Sequence, residues 1–316
     1  MNSSQICATA NLRNKIASVI VALFFILPIP VKACDACGCA MSMSAMQILP
    51  FFNNDMWSTF NSYSVFDHAP AAENGSGQRV LKDALFRTNL AYRMSLSERS
   101  QLQVEMPYEW NHRSYEGSSN DHVLGEGDLT VRGIYFQPLF EGEKKAAILR
   151  FQPTLSAPTG KYMSRGSDRL ILPIGMQTGT GAWSYGGQVD LTLRTSKFGA
   201  QLSASGFGFT ENEMTYQLGA RAGTSARLMY FIEGKRSMII PQIGLNYEAF
   251  ARDREYGGIV DFSGGTRAGG VVEINAFFGR MGAQAQAIIP LIQSLPVDQP
   301  TLRSGVSFGL MYFLAS

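Results

Sequence analysis

The sequence predicts an all-β protein, a transmembrane antiparallel up-and-down β-barrel of the outer-membrane type. The first observation is composition: only 16% of the residues are charged, against roughly 25% in an average soluble protein. The second is the alternation of apolar and polar residues along segments of 10–13 residues, about the length that crosses a bilayer at a tilt. The third is the alternation of short and long connections between these segments, which is typical of outer-membrane barrels.

The chain begins with the pattern of a secretory signal peptide. Arg13 and Lys15 precede the apolar run Ile16–Ile29, and Val31–Ala33 fits a small-x-small cleavage site. A retained transmembrane anchor is the alternative, but the run is short and two prolines interrupt its end. Removal of residues 1–33 takes away three basic residues and no acidic one, so the formal net charge moves from +2 to −1. A charge near zero does not indicate nucleic-acid binding.

Residues 34–56 are predicted to form a segment rich in cysteine and methionine that precedes the barrel, either in the periplasm or as a plug in the lumen. Cys34, Cys37 and Cys39 are spaced CxxCxC, and three methionines follow within seven residues of Cys39. An oxidising periplasm favours a disulfide between two of the thiols, with the third left for exchange or a partner. Thiolate and thioether ligands also suit a soft metal ion such as Cu(I), which is the only cofactor that the sequence suggests. Lipid attachment at Cys34 is the third alternative.

The barrel is predicted over residues 57–316, and its strands show clear two-residue periodicity. In Gln101–Trp110, every second residue from Leu102 onward is apolar, and the residues between them are mostly Gln and Glu. Ala84–Ser95 and Ser184–Thr195 follow the same pattern. Arg303–Leu314 places Val and aromatic residues on one face, as expected for the strand that closes such a barrel. In each strand the apolar face is predicted to contact lipid and the polar face to line the lumen.

The number of strands follows from the connections. Residues 67–82, 111–126, 157–168, 250–265 and 292–301 are predicted as long extracellular loops, and 96–100, 139–145, 179–183 and 279–281 as short periplasmic turns. With both termini periplasmic, the number of strands must be even. Dividing Met214–Ile232 at Gly223–Ser225 places every long loop on the outside. We therefore predict 14 strands, with 12 as the alternative.

Several short segments resemble a known family. They are Leu90–Arg99, Leu102–Tyr108, Gly127–Tyr135, Pro158–Lys161, Gly179–Gly181 and Ala283–Leu291. Together they are similar to a Gram-negative barrel family named for transporters of phenol meta-pathway degradation, which is more distantly related to long-chain fatty-acid transporters. The Cys segment, with Ile48–Phe52, looks like a subgroup of these barrels. The resemblance implies an outer-membrane transporter, and its motifs indicate the fold far more strongly than the cargo.

Charged residues on the polar faces form the candidate site. They are Arg87, Arg93, Glu105, Glu109, Arg132, Arg150, Asp190, Arg194, Arg221, Glu248 and Glu273. Such charges either select a solute by its charge or pair with one another inside a narrow barrel. The presence of both signs favours pairing.

The function predicted is passive passage of a small, hydrophobic solute through a porin-like channel in the outer membrane of a Gram-negative bacterium. Its predicted partners are membrane lipid and that solute. The sequence offers no Ser–His–Asp arrangement, phosphate loop or paired catalytic carboxylates, so an enzyme is not predicted. His68, His112 and His122 are interpreted as ordinary residues of extracellular loops. The alternative function is a metal- or redox-handling protein that acts through Cys34, Cys37 and Cys39 and uses the barrel as an anchor.

Overall fold

The computed structural model describes residues 54–69, 79–117, 120–142, 145–296 and 299–314. Within them, twelve long antiparallel strands form a closed barrel. These are β1 (Met56–Asp67), β2 (Val80–Ser97), β3 (Ser100–Tyr115), β5 (Leu129–Gly142), β6 (Lys145–Ala157), β7 (Ser184–Thr195), β8 (Phe198–Phe209), β10 (Arg221–Tyr230), β12 (Ser237–Phe250), β15 (Gly265–Phe278), β16 (Met281–Ser294) and β17 (Thr301–Phe313). No helix in the described ranges is long and apolar enough to span a membrane.

The remaining strands are short. They are β4 (Asp121–Glu126), β9 (Tyr216–Gln217), β11 (Ile232–Glu233), β13 (Arg254–Glu255) and β14 (Gly258–Ile259). β4 pairs with the far end of β3, and β11 pairs with β12, so each prolongs the wall next to a neighbouring long strand. β9, β13 and β14 form a separate small sheet.

The barrel closes because its first and last strands pair. β1 lies between β2 and β17, with Met56 opposite both Arg93 and Phe313. On the opposite side of the ring, β10 pairs with both β8 and β12. Closure leaves no unpaired edge among the long strands, which is what a spanning sheet requires in lipid.

The two ends of the barrel differ in their connections. Both described chain ends and the turns at 98–99, 196–197 and 279–280 lie at one end. Gly279 has a φ of +58°, which a glycine adopts without steric cost in such a tight turn. The longer connections, including 158–183 and 251–264, lie at the other end. By the general rule for these barrels, the first end is periplasmic and the second is extracellular.

The facing predicted from the alternation is confirmed. On β3, Gln101, Gln103 and Glu109 are buried in the lumen, whereas Tyr108 and Trp110 are exposed on the outside. The outer surface carries a belt of exposed Leu, Ile, Val and aromatic side chains around the barrel. Trp57 and Tyr92 pack together, with ring centroids 4.6 Å apart, near the periplasmic edge of this belt. An apolar exterior around a charged interior is the arrangement of a barrel that spans a membrane.

The prediction of 14 strands is wrong, and the alternative of 12 is supported. Within the described residues, two of the predicted strands are absent from the barrel. The first is the strand implied at residues 169–178, between the connections predicted at 157–168 and 179–183. The structure places all of 158–183 in one long loop that contains a 3-10 helix, Ile174–Met176. The second resulted from dividing Met214–Ile232 into two strands at Gly223–Ser225, whereas the single strand β10 continues through these residues. The loop predicted at 111–126 is also wrong, since most of it continues β3 and forms β4.

Candidate functional site: the barrel lumen and its inward-folded loop

The charged side chains of the lumen form ion pairs, most of them between neighbouring strands. The pairs that include predicted site residues are Arg87–Glu109, Arg132–Glu105, Arg150–Asp190, Arg194–Glu233, Arg267–Glu248 and Arg227–Glu273. Nine of the eleven predicted residues therefore have a partner of opposite charge. Pairing compensates for the cost of removing these charges from water, and it leaves a lumen without a large excess of either sign.

The other two predicted residues make different contacts. Arg93 is buried and donates from Nε to the side-chain oxygen of Gln103 at 2.8 Å. The Arg221 guanidinium lies over the ring of Phe209, 5.0 Å from its centroid, and is within 5.9 Å of the Phe250 centroid. A guanidinium over an aromatic face gains a favourable cation–π interaction. Arg221 thus lines the extracellular half of the lumen between two aromatic side chains.

Glu273 is the centre of the most highly connected polar cluster. Its Oε1 accepts hydrogen bonds from Gln242, Asn275 and Gln284, and its Oε2 accepts from Arg227 and Gln286. The carboxylate is fully buried. Donors from β10, β12, β15 and β16 converge on this one group, so it holds four strands of the wall in register.

The periplasmic part of the lumen is lined by apolar side chains. One buried cluster comprises Met56, Phe60, Ala91, Met229, Phe231, Ile240, Phe277, Met311 and Phe313. A second, smaller cluster on β5 and β6 comprises Ile134, Phe136 and Ile148. Phe60 fits against Gly309, where an added Cβ would come within 2.3 Å of its ring. These apolar side chains fill part of the periplasmic end of the lumen, beside buried polar ones such as Arg93 and Gln101.

A cavity of about 220 Å³ occupies the extracellular half of the lumen. Most of the residues that line it are polar, and several strands contribute hydroxyl groups. These are Ser62, Ser64, Thr130, Thr154, Ser156, Ser184, Ser203, Ser205, Thr224 and Ser225. The paired side chains of Arg87, Glu109, Arg132 and Glu105 also face it. The cavity can therefore offer both hydrogen-bond donors and acceptors to a small molecule.

The 158–183 loop folds inward and lines one side of this cavity. Met176 is completely buried and packs with Val123 and Leu172. The side-chain amide of Asn111, on β3, donates to the carbonyl oxygens of Met176 and Gln177 at 3.1 and 3.3 Å. These contacts hold the loop against the inner wall of the barrel, so it narrows the extracellular entrance.

Asp128 fastens both ends of the loop to the wall. Its Oδ1 accepts from the backbone N–H of Gly160 at 2.9 Å, and its Oδ2 accepts from the N–H and the hydroxyl of Thr180 at 2.9 and 2.6 Å. Gly127, Gly160 and Gly179 lie in direct backbone contact beside it, since a Cβ on Gly179 would come within 2.4 Å of Gly160. Only glycine permits this approach. Three of the segments that carry the family resemblance thus meet at one junction.

The sequence analysis missed several residues of the site. Asn111 fell in a predicted loop, and Asp83 and Arg113, which form a buried ion pair with two 2.7 Å hydrogen bonds, lay at or beyond predicted strand ends. Arg227 was missed because the division at Gly223–Ser225 interrupted the periodicity of its strand. Extending the periodicity of β2, β3 and β10 would have placed all four on the inner face. Asp128 offered no periodic signal, since it lies between β4 and β5.

The remaining predictions fall elsewhere. Cys34, Cys37 and Cys39, the signal peptide and nearly all of the segment 34–56 lie outside the described residues. His68 pairs with Asp83 through a 2.8 Å contact. His112 and His122, predicted in a loop, lie on β3 and β4 instead.

Comparisons with known proteins give matches at the level of structure. No family model and no curated protein matches the chain. The crystal structure of an outer membrane channel from Pseudomonas putida F1 has a TM-score of 0.65 at 18% identity, covering 83% of this chain and 95% of that chain. The β-domain of the Bordetella autotransporter BrkA has a TM-score of 0.44 at 12% identity, covering 83% and 99%. A Pseudomonas aeruginosa FadL homologue has a TM-score of 0.35 at 8% identity, covering 84% and 91%.

At 18% identity, the likeness to the Pseudomonas putida channel shows a shared fold, and the other two are too remote to support an argument. The outer surface of the barrel supplies the independent physical evidence: a continuous apolar belt with aromatic residues at its edges. The described chain is therefore a β-barrel of the Gram-negative outer membrane.

Proposed function

We propose that this protein is an outer-membrane channel that passes a small solute through the barrel, with the 158–183 loop restricting the extracellular entrance. The observation that carries the proposal is the cavity of about 220 Å³ between the loop and the opposite wall. A barrel that served only as an anchor has no need of a hydroxyl-lined cavity at its centre. The likeness of fold to an outer membrane channel agrees with the proposal.

The lining of the lumen supports a solute with hydrogen-bonding groups. Most of its charges are paired, so a strongly anionic or cationic solute meets little excess of the opposite charge. Its hydroxyl groups suit a neutral or zwitterionic polar group, while apolar side chains that also line the cavity, such as Phe207, Phe209 and Phe250, suit a small hydrocarbon portion. We therefore propose an amphiphilic solute, whereas the sequence predicts a small hydrophobic one.

The junction at Asp128 supports a closer relationship to the barrels named for phenol meta-pathway degradation. Gly127–Tyr135, Pro158–Lys161 and Gly179–Gly181 are separate in the sequence but form one anchor for the loop. Membership in that family is part of the proposal.

Conductance of the purified protein in planar bilayers tests the function. Asp128→Ala removes three hydrogen bonds that hold the loop, so we expect larger or more frequent openings than in the wild type. Asp261→Ala is the matched control, because Asp261 is an exposed carboxylate on another extracellular loop, where it pairs with Arg252. If folded wild-type protein and Asp128→Ala both fail to conduct above a protein-free bilayer, the channel proposal is wrong.

A further inference from the structure

Two histidines on the outer face of the barrel lie side by side at its extracellular rim. His112 on β3 is directly opposite His122 on β4. Their Nδ1 atoms are 3.1 Å apart, and their rings are stacked with centroids 4.5 Å apart and planes inclined by 30°. The pair belongs to neither the lumen nor the cavity, so the channel proposal makes no use of it.

The position of the pair leaves it accessible to water. Two residues closer to the membrane on the same strands, Trp110 lies opposite Leu124 and both side chains point outward. Both are more than half exposed and belong to the apolar belt. His112 and His122 come next toward the extracellular end, and His122 is exposed. The imidazoles thus lie just beyond the apolar belt, within reach of ions in the surrounding medium.

The backbone around the pair is held firmly by the inward-facing neighbours. Arg113 forms two hydrogen bonds with Asp83, and the Tyr115 hydroxyl donates to Asp121 at 2.6 Å. Val123 packs in the buried cluster with the inward-folded loop. Because the residues on either side of both histidines are buried and paired, the distance between the two imidazoles is set by the sheet. A prearranged pair loses little conformational entropy when it takes a ligand.

The geometry points to a binding site for a divalent transition-metal ion, with His112 and His122 as its two protein ligands. Metal–imidazole bonds are about 2.0–2.1 Å long. With bonds of about 2.05 Å, the Nδ1–Nδ1 separation of 3.1 Å corresponds to an N–metal–N angle of about 98°. The rings are stacked, so they rotate about their side-chain bonds to direct both Nδ1 lone pairs at one ion. Without metal, the Nδ1–H of one ring donates a hydrogen bond to Nδ1 of the other. When the metal binds, that proton moves to Nε2 of the same ring, so both Nδ1 atoms coordinate as neutral imidazoles.

The ligand set defines the class of ion. Imidazole nitrogen suits Cu²⁺, Ni²⁺ and Zn²⁺, with Cu²⁺ bound most tightly. In the described parts of the chain no group of three or more His, Cys, Asp or Glu is placed to hold a metal, so water completes the coordination. Lys82 is a nearby outward-facing cation, opposite Ser114 on the adjoining strand, and it weakens the attraction for a dication. The ion would connect β3 to β4 at the entrance to the barrel.

Titration of the full-length, detergent-folded chain with Cu²⁺ tests the site, followed by electron paramagnetic resonance. Cys34, Cys37 and Cys39 are replaced by Ser in every sample, so that thiols cannot bind the added metal. We expect one saturable Cu²⁺ per chain with nitrogen hyperfine structure. His112→Gln and His122→Gln should each lower the affinity at least tenfold. His68→Gln is the matched control and should leave it unchanged, because His68 is paired with Asp83.

A second measurement needs no histidine variant. Zn²⁺ should protect His112 and His122 from modification by diethyl pyrocarbonate, as measured by mass spectrometry of peptides, and should not alter the modification of His68. The site is disproved if the chain binds no saturable Cu²⁺, or if the single variants bind it as tightly as the parent. Equal loss in His68→Gln, or modification of the pair that is insensitive to Zn²⁺, would also overturn it.

Discussion

A charge placed on either face of one strand should have very different consequences. Leu202 and Ser205 both lie on β8. Leu202 lies in the middle of the apolar belt, and Ser205 lies beside the cavity. Leu202 is 45% exposed on the outer surface and lies between Leu191 and Ala226 of the neighbouring strands. Ser205 faces the cavity, where its hydroxyl lies 3.5 Å from the carbonyl oxygen of Gly223.

The expected magnitudes follow from these surroundings. An arginine that faces lipid near the midplane costs roughly 2–4 kcal/mol, which is about a 30- to 700-fold change in the folding equilibrium constant. Leu202→Arg should lower the free energy of unfolding by this amount. Ser205→Arg enters a hydrated cavity that already contains arginines and carboxylates, so its cost should stay near the roughly 0.5 kcal/mol of an ordinary surface substitution.

Reversible urea unfolding in lipid vesicles measures both free energies, and bilayer conductance supplies an independent readout. Ser205→Arg should reduce conductance, because its side chain occupies the cavity, whereas folded Leu202→Arg should conduct as the wild type does. Equal destabilisation by the two substitutions would refute the assignment of the faces. Reduced conductance in Leu202→Arg alone would place the conduction path outside the lumen.

Three further predictions concern the loop anchor, the lumen and the N-terminal segment. Gly179→Ala should loosen the inward-folded loop and raise conductance, because its Cβ would lie 2.4 Å from Gly160. Gly206→Ala is the control and should conduct as the wild type does, because the atom nearest to its Cβ would be 3.9 Å away. Glu273→Leu should destabilise the barrel by roughly 3–5 kcal/mol in urea unfolding, since it leaves a buried arginine without its partner; a cost below about 1 kcal/mol would contradict the proposed role of this carboxylate. Thiol counting under denaturing, non-reducing conditions should find one free thiol in the mature chain, and three would exclude the disulfide.

The facing of the residues was predictable from the sequence because it depends only on local geometry. Successive side chains of a strand point to opposite faces, so Gln103 and Glu109 had to share the inner surface with Gln101 once β3 was identified. The belt of outward apolar residues and the polar lumen follow from the same periodicity. The prediction of a membrane barrel followed from the length of the strands and from the alternation of short and long connections.

The number of strands and the inward-folded loop were decided by tertiary contacts. Residues 169–178 have large apolar side chains at every second position from Leu170 to Met176, as a strand can, yet Leu172 and Met176 are buried because they pack against Val123 inside the barrel. The alternation of apolar residues indicates which side chains are buried, but it does not indicate which part of the protein packs against them. The bonds from Asn111 and Asp128 that hold this loop join residues more than 30 positions apart, so no local pattern could reveal them.

The pairing of side chains across the wall was likewise decided by the register of the strands. The sequence shows several arginines and carboxylates on the inner face, but the stagger between strands determines that Arg150 meets Asp190 and Arg132 meets Glu105. The same stagger brings His112 to His122. A shift of one residue would separate these groups and turn every inner side chain of the strand toward lipid. Composition and periodicity therefore determined the kind of barrel, whereas the long-range hydrogen bonding of its strands determined the constricted lumen and the histidine pair.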